Sequence, residues 1–296
     1  MSIPTDFDID RRLVRARAAR RAGQADEAGF LAREVAQRMA ERLAYIKHEP
    51  ARILDAGCGI GRDLPLLAQR YPQAERIGVD FALPLLRLAR GERGFFQKLL
   101  GDLRKSDPRF VCADLTALPL ARASVQMVWS NLVLNWLADP MPAFREMHRV
   151  LEVGGMLMFA TLGPDTLKEL RAAMPAGSGE RVHRFIDMHD LGDALVTAGF
   201  AEPVMDMETI TLTYDHVDGL LRDLRHAGAT NAASTRPRGL SGRNGWARAR
   251  AGYEQLRRDG RLPATFEIVY GHAWKAAPRT TEDGRAVIEF KPRPER

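Results

Sequence analysis

The chain has 296 residues, 44 Lys and Arg against 38 Asp and Glu, and a formal net charge of +6. Hydrophobic residues make up 45% and charged residues 28%, which excludes disorder or a collagen-like structure for the bulk of the chain and allows a sizeable core without staples. Two cysteines, Cys58 and Cys112, are too few for a disulfide framework or a four-cysteine zinc site, and no metal is expected. The most apolar uncharged stretch, 123–137, is broken by Ser124, Gln126, Ser130, Asn131 and Asn135, so no membrane span is expected. The Arg-rich start carries Asp6, Asp8 and Asp10 and lacks the apolar core of a secretion signal, which makes a cytoplasmic location the expectation.

Residues 1–49 read as a helical segment. Phe30, Leu31, Val35, Met39, Leu43 and Ile46 recur at helical spacing between charged residues, the pattern of a helix packed on a neighbouring domain. From 51 to 162, short apolar runs alternate with helical segments. Strands are expected at 52–55, 76–80, 110–113, 125–130 and 155–162, and helices at 64–70, 84–90 and 142–151. Such alternation implies parallel strands, crossover helices and a sheet covered on both faces, with ligands beyond the carboxyl ends of the strands. Helices at 165–174 and 188–198 follow, the second closed by Gly199. Strands at 208–214 and 265–274 enclose an Arg-rich helical insert, about 216–262, and a charged tail occupies 275–296.

The strongest local signal is Ile53-Leu54-Asp55-Ala56-Gly57-Cys58-Gly59-Ile60-Gly61. An apolar strand ends in an acid, and alternate glycines let the backbone approach a ligand. Arg62 stands where a dinucleotide loop needs its last glycine, and Asp55 would repel a pyrophosphate. The pattern suits S-adenosylmethionine, which carries an ammonium and a sulfonium. Asp80 closes the second strand, where a carboxylate accepts from both ribose hydroxyls, and Phe81 could cover the adenine. Asp114-Leu115 closes the third, where an acid can accept from the adenine amino group. Either aspartate alone could be a helix cap. Three acids at successive strand ends fit one adenosyl ligand better. Cys58 reads as a small turn residue whose backbone meets the ligand, Cys112 as core. After the fourth strand, Ser130-Asn131-Leu132-Val133 lacks the Asn/Asp-Pro-Pro-aromatic run common in nitrogen methylation.

With these residues assembled, the chain resembles the class I S-adenosylmethionine-dependent methyltransferases. Trp129-Ser130-Asn131-Leu132, Trp136, Arg145-Glu146, Asp165-Thr166-Leu167, Glu169-Leu170-Arg171, Arg184-Phe185, Gly228-Ala229-Thr230-Asn231 and Pro263-Ala264-Thr265-Phe266 are narrower. They resemble the malonyl-acyl carrier protein O-methyltransferases of biotin synthesis. The resemblance implies an α/β, Rossmann-like sheet, mostly parallel with an antiparallel last strand. An N-terminal helix and a helical lid insert between the last two strands would complete a methyltransferase domain over 50–274. It implies S-adenosyl-L-methionine bound by Asp55, Gly57, Cys58, Gly59, Gly61, Asp80, Phe81, Asp114, Leu115 and Asn131, and substrate contacted by Arg184. The Arg-rich N-terminal run, Phe7-Asp8 through Arg20-Arg21, is more similar to the mitochondrial complex I assembly factor that hydroxylates a protein arginine. An arginine hydroxylase or assembly factor is therefore the alternative. A regulatory S-adenosylmethionine-binding protein is a third reading.

A carboxylate acceptor is already ionised at neutral pH, so methyl transfer to it needs alignment and exclusion of water rather than a general base. This agrees with seven histidines that form no evident catalytic arrangement; His148, His183, His189 and His272 read as surface or core residues. From Arg236 to Arg261 there are eight arginines and two acids, so this lid carries the whole net charge. The expected partner is an acidic protein, acyl carrier protein above all, docking there; sparse aromatics argue against nucleic acid.

Overall fold

The computed structural model describes residues 7–20, 22–24, 29–91, 107–175, 179–237, 239 and 243–277. Most of the expected tail, residues 240–242 of the hinge-like Gly239–Gly242 stretch, and 177–178 of the Gly-Ser break lie outside them. Seven strands form one sheet: β1 (Arg52–Ala56), β2 (Glu75–Asp80), β3 (Arg109–Cys112), β4 (Val125–Asn131), β5 (Leu151–Leu162), β6 (Ala201–Tyr214) and β7 (Leu262–Trp274). Their order is β3-β2-β1-β4-β5-β7-β6. The first five pair with one another in parallel, and β7 runs antiparallel to both β5 and β6. The chain thus steps outward from β1 to β3, then returns to place β4 on the other side of β1. That reversal opens a crevice at the carboxyl ends of β1 and β4.

Helices cover both faces. Helix α2 (Phe30–Leu43) buries Val35, Met39 and Leu43, one residue per turn. Each such side chain contributes roughly 1.5–3 kcal/mol of burial. They share one buried cluster with Leu67 of α3 (Asp63–Arg70), Leu170 of α6 (Lys168–Ala173), Leu220 of α8 (Val217–His226) and Tyr253 of α9 (Arg243–Glu254). On the opposite face, α5 (Met141–Val150) and α7 (Met188–Thr197) supply Phe144, Met147, Leu191 and Leu195. Two shorter elements border the crevice: α1 (Arg11–Arg20) and α4 (Leu83–Gly91). Asp10 caps α1 by accepting from the Leu13 N–H at 3.0 Å.

The structure departs from the sequence expectation in two strands and one cysteine. Strand β5 begins directly at the end of α5, and β6 begins at Ala201, seven residues before the expected 208. Pro203 and a register shift between Ala201 and Val204 hide the alternation there, and both are tolerated because β6 is an edge strand. Cys112, expected in the core, is exposed, because β3 is the other edge strand.

Candidate active site

The glycine turn after β1 is built for close approach. Gly57, Gly59 and Gly61 have φ of +88°, +55° and +78°, conformations that side chains resist. The N–H groups of Gly57 and Cys58 donate to the Val79 carbonyl at 2.7 and 3.0 Å, which moors the turn to the end of β2. A Cβ on Gly57 would lie 2.3 Å from Val133 Cγ2, whereas one on Gly59 would meet nothing within 4 Å. The space above Gly59 is part of a cavity of about 1280 Å³.

Three carboxylates gather under this turn. Asp80 accepts from the Gly59 N–H at Oδ2 (3.0 Å) and from the Ala82 N–H at Oδ1 (2.8 Å). Asp63, in the first turn of α3, accepts from Trp129 Nε1 at 2.8 Å and Asn131 Nδ2 at 3.0 Å. Asp55 is buried, and its Oδ2 has no hydrogen-bond partner among the described residues. Burial pushes all three acids up, and the charges of Asp63 and Asp80 push Asp55 further. Asn131 Oδ1 is likewise buried without a partner. Orphaned acceptors, concentrated negative charge and an open glycine cradle suit a cationic ligand that brings its own donors. S-adenosylmethionine, with its ammonium, sulfonium and ribose hydroxyls, meets that description.

Of the expected cofactor residues, Gly57, Gly59, Asp80, Phe81 and Asn131 border the cavity, while Asp55, Cys58, Gly61, Asp114 and Leu115 do not. Asp55 belongs to the carboxylate cluster beneath the turn, and Cys58 is buried within it. Asp114 is engaged otherwise. It pairs with Arg11 of α1 and accepts from the Thr116 N–H (2.9 Å) and hydroxyl (2.7 Å). Burial acts to raise its pKa, but these donors outweigh it and hold the carboxyl below its ordinary value. Arg184 also lies outside the lining, with Nε 3.3 Å from Glu180 Oε1, although its neighbours Arg181, Val182, His183 and Phe185 border the cavity.

The far wall has the opposite charge: Arg17, Arg181, Arg222, Arg225 and Arg236 border the cavity there with Asp223 as the acid, while Arg62 and Asp80 border it at the glycine turn. Arg17 of α1 donates through Nη1 to the carbonyls of Thr230 and Asn231, both at 2.8 Å. Ile9 pairs with Ala233 as an isolated bridge, and Arg236 Nη2 lies 3.2 Å from Asp10 Oδ2. The N-terminal segment and the 228–236 loop therefore close this side together. His183, read from the sequence as a surface or core residue, is buried between the rings of Trp136 (5.4 Å) and Phe185 (4.7 Å). Burial first, then the charges of Arg171 and Arg17, pushes it down to about 4, so it is neutral at physiological pH.

The lid is less cationic than its composition. Arg236, Arg250, Arg257 and Arg261 pair with Asp10, Asp218, Glu254 and Asp215, and only Glu254 belongs to the 236–261 segment. The narrow sequence segments act as fasteners. Glu169 accepts from the Thr265 N–H at 3.0 Å and from its hydroxyl, Arg171 donates to the Pro164 and Thr166 carbonyls, and Asn231 Oδ1 accepts from the Ala233 N–H at 2.8 Å.

Residues 54–159 match a family model described as a methyltransferase domain. The chain is 53% identical over 286 residues to the malonyl-[acyl-carrier protein] O-methyltransferase of Gallionella capsiferriformans, covering 96% of this chain and 97% of that one. It is 54% identical over 290 residues to the protein of the same name from Laribacter hongkongensis, with 97% of each covered. Among solved structures, the YcgJ protein of Bacillus subtilis superposes with a TM-score of 0.56 at 17% identity, covering 83% of this chain and all of that one. The [4+2]-cyclase SpnF superposes at 0.50 and 20% identity, covering 82% and 81%. At such identities the structures establish a shared fold and no shared chemistry.

Proposed function

Because the chain belongs to the malonyl-[acyl-carrier protein] O-methyltransferase family, we propose that it esterifies the free carboxylate of a malonyl group carried as a thioester on acyl carrier protein, in the biotin pathway. The observation that carries this reading is near-full-length identity above one half to two proteins of that name. It favours the methyltransferase over the arginine hydroxylase alternative.

The cofactor is S-adenosylmethionine, which supplies an electrophilic methyl group on its sulfonium. Asp80 is the acceptor for the ribose hydroxyls; each of its oxygens already takes one backbone N–H and has lone-pair capacity left. The glycine turn holds the amino-acid end, and the negative cluster of Asp55, Asp63 and Asp80 favours a cation. Phe81, on the cavity wall, covers the adenine. Asp114 can contribute only after Arg11 gives way.

The malonyl carboxylate binds on the Arg17–Arg181 flank, where arginine supplies a fork matched to a carboxylate. Arg184, already paired with Glu180, is assigned a lesser part. No side chain needs to take a proton, because the acceptor is ionised at neutral pH. Neutral His183 takes none and leaves the flank's cations undisturbed. Trp136, Phe185 and Leu132 border the same space and keep water from the transfer. Acyl carrier protein docks on the lid between Arg236 and Arg261, through the arginines of that segment that pair with no acid among the described residues. Two free thiols accord with a reducing, cytoplasmic location.

Rescue of a strain lacking its own malonyl methylation step tests the reading. Growth without biotin is expected with the intact chain and not with Asp80→Asn. Failure of the intact chain, although folded and abundant, would contradict it.

A further inference from the structure

The cavity is larger than its cofactor end requires. At about 1280 Å³ it exceeds the roughly 300–1,000 Å³ of an ordinary small-ligand pocket. Away from the glycine turn, one wall is helix α8, which presents Leu221, Arg222, Leu224 and Arg225 to the cavity. Trp246 of α9 stands at the same mouth, 36% exposed.

Arg222 and Arg225 are three residues apart, so they share one helix face, where like charges repel. Both are exposed, and neither side chain makes a hydrogen bond or ion pair among the described residues. Four other lid arginines are each matched with an acid. The helix dipole favours a cation in the last turn, which accounts for Arg225. Arg222 sits before that turn and has no such reason. Two unmatched guanidinium groups beside Leu221, Leu224 and Trp246 describe a site for an anion at the head of an extended, largely apolar chain.

We propose that Arg222 and Arg225 form a phosphate-binding station at the cavity mouth, which takes the phosphate ester of the acyl carrier's prosthetic arm. Leu221, Leu224 and Trp246 flank the arm beyond it. This rests on the proposed function, since it presumes a carrier-bound thioester. A phosphate is preferred to the malonyl carboxylate because that carboxylate must lie inward at the methyl group, on the Arg17–Arg181 flank, which leaves the arm's phosphodiester as the anion at the mouth. The station also positions the acyl group, since a phosphate held at the mouth fixes how far the thioester reaches inward.

Three malonyl thioesters separate the possibilities: malonyl-carrier protein, malonyl-coenzyme A, and malonyl-pantetheine, which lacks the phosphate. For the native protein, kcat/KM is expected to be about tenfold or more higher for the two phosphorylated substrates, the worth of one charge-assisted contact. In the Arg222→Ala/Arg225→Ala protein that ratio should fall to about one, and Arg222→Lys/Arg225→Lys should restore much of it. Cofactor affinity, read by calorimetry, reports that the lid still folds. A double variant that slows all three substrates by the same factor, or none, would overturn the station. So would a preference for carrier protein alone, without one for malonyl-coenzyme A over malonyl-pantetheine, because the contact would then be with the carrier's surface. A native protein that methylates none of the three would sink the proposed function itself, and the station with it.

Discussion

The two ends of the cavity differ in charge, in construction and in how each acid or base is satisfied. Near the carboxyl ends of β1 and β2, Asp80 is held by backbone donors and Asp63 by indole and amide donors, while Asp55 lies buried beside them with Oδ2 unpartnered among the described residues. At the lid end, arginines from α1, α8 and the 181–183 loop face the same space. The acids are buried and raised toward neutrality, which costs stability until a cation arrives. Arg222 and Arg225 are exposed and cost little to leave in water, while Arg17 and Arg181 are half-buried. A reaction between a cationic methyl donor and an anionic acceptor needs this segregation, because each reactant is drawn to its own end and the two meet between. The YcgJ and SpnF superpositions show that the sheet alone does not specify the chemistry.

The comparison can be broken at either end. The largest effect is expected at Asp80. Asp80→Asn keeps the shape and one acceptor but loses the charge, and should weaken S-adenosylmethionine binding roughly 100-fold, about two charge-assisted hydrogen bonds' worth. Calorimetric titration checks it, and a change under threefold would remove Asp80 from the ribose site. Next is His183, whose pKa is pushed down to about 4 from 6.5. The unfolded chain binds its proton first as pH falls, so this contribution is complete above about pH 6.5 and is lost toward pH 4. It is on the order of 3 kcal/mol over that window. Denaturant titrations at both pH values should show a smaller acid loss in His183→Gln.

On the arginine side, Arg181→Ala should raise KM for the malonyl substrate about tenfold with cofactor affinity intact, and Arg184→Ala less than threefold. Steady-state kinetics decides between them; the reverse ranking would return the carboxylate to Arg184. The smallest effect sharpens the cost of the acid cluster. Asp55→Asn should stabilise the ligand-free protein by about 1 kcal/mol, a rise of a few degrees in Tm, while weakening cofactor binding. A lower Tm would mean that Asp55 has a partner when the cofactor is absent.

Much of this architecture is legible in the sequence, for identifiable reasons. Strands β2 and β4 end in a polar residue at the crevice, and β1 ends one residue after Asp55. The glycine turn declares itself because φ of +88° and +78° at Gly57 and Gly61 favour glycine strongly. What could not be read depends on distant partners. Asp63 looks like an ordinary acid in a first helical turn until Trp129 and Asn131, more than sixty residues away, donate to it. Asp114 reads as an adenine acceptor, but Arg11 arrives from 103 residues away to occupy it. His183 carries no local signal at all; its role comes from the rings and arginines folded around it. The eight arginines of the lid overstate its free charge, because the matching acids Asp10, Asp215 and Asp218 lie outside the segment that was counted.

The most direct test of the account offers pure protein malonyl-carrier protein and S-adenosylmethionine labelled in its methyl group. The label should appear on the malonyl group as a base-labile methyl ester, one per S-adenosylhomocysteine released, at a rate that falls as salt rises. Tight cofactor binding with no label on the malonyl group would contradict it.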